Sequence, residues 1–169
     1  QFDSFLHVST GMLEQQVLLC IASLYNERAL WYADAHGISH TGMKMAVILQ
    51  EMIPAQWSGV AFTMHPVTGN RDVVYIELVK KDPDGLVSGS VTPYSMLIHK
   101  KTGGMDERST QEIRGWKSIT EHIQDSLLPL LHIVEELLGH PCDVEWVYTN
   151  DQFYLVQVRP ITAQGSLLK

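Results

Sequence analysis

Apolar residues recur every three or four positions early in the chain, at Leu13, Val17, Leu18, Cys20, Ile21, Leu24 and Tyr25. That is the period of a helix buried along one face. Asn26 divides the pattern into two predicted helices within residues 11–36. Ala29, Leu30, Tyr32 and Ala33 face inward on the second, and Gly37 is a natural stop. The pattern then changes. Residues 45–52, 59–64, 73–79 and 95–99 read as strands. Pro54, the turn around Pro66 to Asn70 and the polar stretch from Lys80 to Gly85 separate them. Gly103 and Gly104 open a loop. Ser118 and Glu121 have capping-box spacing, and a helix runs on to about Leu138. Pro129 lies inside it, as a break or a new first turn. Gly139 and Pro141 end it. Helices, several strands, a helix and a final hairpin predict an α+β fold with a mostly antiparallel sheet and packed helices.

The hairpin is the most informative segment. Successive strand residues point to opposite faces. Asp143, Glu145 and Val147 therefore share one face, and Val144, Trp146 and Tyr148 share the other. On the return strand Phe153, Leu155, Gln157 and Arg159 alternate with Tyr154, Val156 and Val158. An odd-length loop places Glu145 and Gln157 together; a two-residue loop separates them. Thr149, Asn150 and Asp151 suit a three-residue bulged turn, so the expectation is that the four polar groups share a face. Burying them without partners is costly, which points to metal and phosphate. A solvated edge hairpin with a polar outer face is the alternative.

Composition narrows the field. The 169 residues suffice for one domain with a core. A net charge of −7 disfavours a general nucleic-acid binder. The two cysteines, Cys20 and Cys142, are far apart and lack CxxC spacing, which suits a reduced, cytoplasmic protein. The apolar stretches are too short to span a bilayer, and no leader pattern is visible. The expectation is thus no nucleic acid and no membrane.

Three segments carry a family resemblance. The first begins Val47-Ile48-Leu49-Gln50-Glu51-Met52 and continues through Ser58-Gly59-Val60-Ala61-Phe62-Thr63 to Pro66, Thr68 and Gly69. The second is Leu86-Val87-Ser88-Gly89 with Thr92-Pro93. The third joins Asp143-Val144-Glu145-Trp146 to Leu155-Val156-Gln157-Val158-Arg159-Pro160-Ile161-Thr162. Together they resemble the ATP-grasp nucleotide-binding domain of phosphoenolpyruvate synthase and pyruvate phosphate dikinase, the PEP-utilising enzymes. Long motifs in the right order are more specific than a short pattern.

The resemblance implies a C-terminal ATP-grasp lobe spanning residues 1–169 as a single partial domain, with ATP and Mg²⁺ as cofactors. Gln50, Glu51 and Met52 would meet the adenine edge, mostly through backbone groups. Glu145 and Gln157 would ligate Mg²⁺, for which oxygen ligands are suitable. Arg159 would reach a terminal phosphate with its planar fork, and Asp143 would orient the shell; these two are the catalytic candidates. In the family, ATP phosphorylates a histidine on a swivelling domain, which carries the group to pyruvate at a third domain. That phosphohistidine domain, the PEP/pyruvate barrel and the N-terminal ATP-grasp lobe would be supplied outside these residues, and the isolated chain is expected to be inactive.

Two departures stand out. The family's glycine-rich "GLGE" is replaced by Lys81-Asp82-Pro83-Asp84, and Met64 stands where many members have arginine. A rifamycin or glucan phosphotransferase would share this lobe. A degenerate nucleotide-binding or interaction module is the alternative of another class. Glu77 is a further candidate for ribose or metal. His36, His40, His122 and His132 lack convincing metal spacing and read as surface or capping residues. His65 reads as a turn residue. Met43 and Met45, like Trp57 and Trp146, read as packing.

Overall fold

The computed structural model describes residues 2–39, 41, 43–80, 93–107 and 115–161. It comprises two compact units, one ending at Met52 and one beginning at Ile53.

The N-terminal unit is a helical pair. A 3-10 turn, Thr10–Met12, leads into α1 (Leu13–Ala22). A second 3-10 turn, Ser23–Tyr25, leads to α2 (Glu27–Ala35). The break falls where Asn26 predicts it, for a specific reason. Its backbone is extended, and its Oδ1 accepts from the Ala29 amide at 2.8 Å, capping α2. Ser23 ties the junction to the preceding chain: its hydroxyl donates to the Cys20 carbonyl at 2.7 Å and accepts from the Asp3 amide at 3.1 Å. Gly37 follows α2 with φ of 64°. Residues 45–52, expected to be a strand, have no regular secondary structure and join no ladder. Ile48 and Leu49 are exposed. A strand exists through its partner's hydrogen bonds, and apolar composition does not substitute for one.

The C-terminal unit is one antiparallel sheet with helices on one face. Its strands are β1 (Trp57–Phe62), β2 (Val73–Lys80), β3 (Tyr94–His99), β4 (Met105–Glu107), β5 (Cys142–Thr149) and β6 (Gln152–Pro160), in the order β4-β3-β2-β1-β5-β6. Strand β4 was not anticipated. It pairs through Met96, Leu97 and Ile98 of β3 just beyond the Gly103-Gly104 loop.

Alternation sorts the side chains. Trp57 and Ala61, Val74, Ile76 and Leu78, Met96 and Ile98, and Cys142, Val144, Trp146 and Tyr148 form a continuous buried layer. Against it lie Ile119, Ile123, Leu127 and Leu131, four residues apart. Each such buried aliphatic side chain contributes roughly 1.5–3 kcal/mol. Their helix begins at Trp116, so α3 is Trp116–His122. Ser118 therefore lies inside it, and the expected capping box does not form. Gly115, at φ 90°, is the cap residue instead. A π-helical turn, Ile123–Leu127, joins α3 to α4 (Leu128–Leu138). Pro129 in the first turn of α4 has no N–H for the ladder, and the widened turn before it lets the helix continue. Gly139, at φ 71°, donates its amide to the Glu135 carbonyl at 2.9 Å and closes the helix. Lys100 of the β3–β4 loop pairs with Glu135 at 2.6 Å, tying the sheet to α4.

Gly59 sets the closest approach in the sheet. A Cβ there would lie 2.2 Å from the Glu77 carbonyl oxygen and 2.7 Å from the Trp146 ring. Gly59→Ala is expected to destabilise the C-terminal unit by about 1–3 kcal/mol. Urea unfolding at unchanged slope would show it. Tyr148 supplies a second test. Burial, then the Asp151 carboxylate that accepts from its hydroxyl at 3.0 Å, push its ionisation up to about 12. A raised folded value favours the protonated form. That contribution is complete below the ordinary tyrosine value near 10 and is lost as pH rises toward 12. Tyr148→Phe is expected to flatten the stability loss between those limits, measured by denaturant midpoints.

Candidate nucleotide site on the open face of the sheet

The face opposite the helices carries a mixed surface. Register places Ser95, Glu77, Val60, Glu145 and Gln157 in one row across β3, β2, β1, β5 and β6. The next row holds Leu97, Tyr75, Phe62, Asp143 and Arg159. Val79, Ser58 and Val147 begin a third. The residues on β1, β2, β3 and β5 in these rows are half-buried. The result is an apolar floor, chiefly Val60, Phe62, Leu97 and Val147, with polar groups at its β5–β6 edge.

The four hairpin residues come together as expected, by a different route. The turn is two residues long: Thr149 pairs with Gln152, and Asn150 and Asp151 have φ of 49° and 59°. Both central residues being left-handed marks a type I′ turn. The three-residue turn is thus incorrect. A two-residue turn alone would set Gln157 on the face opposite Glu145. The register shifts instead at Glu145/Trp146: Trp146 pairs with Leu155 and Glu145 with Gln157, leaving Val156 as the extra residue of a bulge. Phe153 and Leu155 pack against the helix-side core. Beyond Val156 the phase reverses, and Gln157 and Arg159 join Glu145 and Asp143 on the open face.

Arg159 connects the two acids. Its Nε donates to Asp143 Oδ1 at 3.2 Å and its Nη2 to Glu145 Oε1 at 3.0 Å. The arginine and glutamate side chains are 51% and 41% exposed, and that of Asp143 20%. Pairs this accessible contribute at most about 1 kcal/mol each, so they are not what holds the fold. Glu77 lies two strands from Glu145, roughly 10 Å between backbones at ordinary strand spacing. Tyr75 donates its hydroxyl to Glu77 Oε1 at 2.9 Å. Among the described residues of this face, the carboxylates of Glu77, Asp106, Asp143 and Glu145 outnumber the one guanidinium, Arg159, and this net negative charge favours a cation.

Tyr75 was not singled out from sequence, because its strand gives no sign of which face it takes until the register is known. Gln50, Glu51 and Met52 close the N-terminal unit as an exposed, irregular segment. Residues 81–92, including the Lys81–Asp84 departure and most of the second motif, lie outside the described residues. Trp57 and Trp146 are core, as packing roles require; Met43 and Met45 are half-buried in the N-terminal unit, and Met64 is buried. His36 Nδ1 lies 2.9 Å from the Tyr32 carbonyl at the end of α2, a capping contact. His122 packs on Tyr148. Burial pushes the Cys142 thiol up, partly offset by Thr63, so it stays neutral beside Asp143. Among the described residues, no cluster of three histidine, cysteine or acidic side chains is arranged to hold a metal. None of their helices is long and apolar enough to cross a membrane.

Deleting Val156 tests the bulge. Gln157 would then follow Leu155 directly and pair with Glu145 in an unbroken ladder, so Gln157 and Arg159 stay on the open face. The expected outcome is a folded domain that keeps the Glu145–Gln157 cross-strand contact, seen by nuclear Overhauser effects, with a stability change of about 0.5–3 kcal/mol in urea unfolding.

Residues 1–167 match the family model described as the pyruvate phosphate dikinase AMP/ATP-binding domain. The chain is 30% identical to a probable phosphoenolpyruvate synthase of Methanocaldococcus jannaschii, over 96% of its own length and 16% of that protein. It is 33% identical to the rifampicin phosphotransferase of Bacillus subtilis, over 96% and 21%. It is 31% identical to a prodigiosin synthesizing transferase of Serratia marcescens, over 98% and 21%. The chain therefore spans about a fifth of the length of these relatives. It belongs to the pyruvate phosphate dikinase AMP/ATP-binding domain family of the PEP-utilising phosphotransferases.

Proposed function

We propose that this chain is the ATP- and Mg²⁺-binding part of a phosphoenolpyruvate synthase-like phosphotransferase. In such an enzyme, phosphoryl transfer passes through a histidine on another domain to pyruvate. The observation that carries the reading is the Asp143–Arg159–Glu145 arrangement beside Gln157, at one edge of the mixed open face of a chain in this family.

The donor set suits Mg²⁺. Glu145 offers a carboxylate and Gln157, directly across the hairpin, a carboxamide oxygen. Few protein ligands are needed, because this cation keeps several waters and is shared with phosphates. When bound it would neutralise phosphate charge and polarise the transferring group. Arg159 presents its donor fork to a phosphate oxygen. Asp143, held by Arg159 and less exposed than Glu145, fixes the guanidinium plane. The half-buried Val60, Phe62, Leu97 and Val147 exclude water from one side of the ligand. In such transfers, positioning and charge neutralisation supply most of the rate enhancement. In the N-terminal unit, the exposed, irregular segment of Gln50, Glu51 and Met52 is assigned the adenine edge.

The acceptor is chosen by parts of the protein beyond these residues. A rifamycin-type acceptor is favoured by one observation, the 33% identity to a rifampicin phosphotransferase, and this surface serves either chemistry equally.

The test is an amide-shift titration with ATP, with and without Mg²⁺. Saturable, Mg²⁺-dependent shifts are expected at Gln50, Glu51 and Met52 and from Glu145 to Arg159. Glu145→Ala or Gln157→Ala should weaken binding roughly tenfold, about 1.4 kcal/mol, with the circular dichroism spectrum unchanged. Silence to millimolar nucleotide, persisting in a longer chain bearing the preceding lobe, would overturn the assignment.

A further inference from the structure

The loop after β1 is organised around one imidazole. His65 Nδ1 receives the backbone amides of Val67 at 3.2 Å and Thr68 at 3.3 Å. Backbone amides only donate, so Nδ1 must accept and the ring proton must sit on Nε2. The rest of the loop is braced by its own backbone. The His65 amide donates to the Asn70 carbonyl and the Gly69 amide to the His65 carbonyl, both at 2.9 Å. Gly69 takes φ of 71° to close the turn. Asn70 Oδ1 then accepts from the Asp72 amide at 2.9 Å.

The same ring reaches the ligand face. It stacks on Tyr75 with centroids 5.5 Å apart, and the Tyr75 hydroxyl donates to Glu77 Oε1. A chain of three contacts thus runs from two loop amides, through an imidazole and a phenol, to a carboxylate in the Val60–Glu145 row. Tyr75 is the titratable group packed on the ring, and Glu77 the charge it leads to. On the loop's outgoing side are Arg71 and Asp72, the latter 3.5 Å from Lys101.

We propose that His65 is a proton-operated latch that holds the loop of residues 66–70 and, through Tyr75, sets the Glu77 carboxylate on the nucleotide face. The ATP consequence rests on the function proposed above; the latch itself does not. Protonated imidazole carries N–H at both nitrogens. It cannot accept from Val67 and Thr68, and its Nδ1–H would point at two other donors. Imidazoles change charge between about pH 5 and 8. Protonation of the ring therefore releases the two amides, turns the ring and loosens the Tyr75–Glu77 contact. An asparagine at this position would accept from the same amides through its side-chain oxygen and would not titrate.

The test uses the 169-residue chain and nuclear magnetic resonance between about pH 5 and 8. Histidine nitrogen correlations should show His65 with its proton on Nε2 at the alkaline end. As that ring titrates, the Val67 and Thr68 amides should lose exchange protection, and the Glu77 carboxylate carbon should shift with the same midpoint. In His65→Asn those amides should stay protected and the coupled Glu77 shift should vanish. Acidification should then weaken Mg²⁺–ATP binding at least threefold more in the wild type than in His65→Asn. A proton on Nδ1 at the alkaline end overturns the proposal. So do Val67 and Thr68 amides, or a Glu77 carbon, indifferent to the His65 titration. Absence of ATP binding at every pH would count against the ATP reading, while the amide and carboxylate readings would still decide the latch.

Discussion

Val156 changes the phase of β6, and the open face depends on that change. In a regular ladder, one strand offers one set of side chains to each face for its whole length. The end of this hairpin near its turn must bury Phe153 and Leu155 beneath the helices, while the far end must turn Gln157 and Arg159 outward. These demands conflict by one residue. The bulge opposite the Glu145/Trp146 step resolves the conflict by spending one residue outside the pairing. Were Val156 paired in register instead, either an arginine would enter the core or two hydrophobic side chains would enter water, each a penalty of kcal/mol size.

A stable platform keeps that alternation in place. Trp146 lies across from Gly59 where any side chain would collide with it, so the centre of the sheet is packed at van der Waals contact. Its other side is filled by Ile119, Ile123, Leu127 and Leu131. The π turn and Pro129 keep these residues on one helical line despite a missing backbone donor. The surface ion pairs contribute little by comparison. Apolar packing on one face therefore carries the stability, and the opposite face is left free for weakly held polar groups.

Much of this was legible in the residues. Alternation placed β1, β2, β3 and β5, the helical period placed α1 and α2, and Asn26 marked the boundary between them. The grouping of Asp143, Glu145, Gln157 and Arg159 was also legible, but its cause was not. Turn composition suggested an extra residue at Thr149 to Asp151, whereas the structure places it at Val156. Both solutions give the same parity, and a bulge within a valine-rich strand has no compositional marker. Residues 45–52 misled because their apolar run resembles a buried strand and pairing partners cannot be read from composition. Ser118 misled because cap spacing recurs by chance inside helices. Tyr75 stayed hidden because its importance comes from its contacts, His65 on one side and Glu77 on the other.

Arg159 lies between two acids that, among the described residues, have no other basic partner. If that cluster receives a metal–phosphate complex, the arginine acts as an internal counter-ion exchanged for an external one. A phosphate oxygen that takes the guanidinium leaves Asp143 and Glu145 uncompensated, and a divalent cation restores their balance. A cation that takes Glu145 frees the guanidinium for phosphate. Each ion thereby lowers the cost of admitting the other, so metal and anion would enter as thermodynamically linked ligands. By reciprocity each would raise the other's affinity by the same factor.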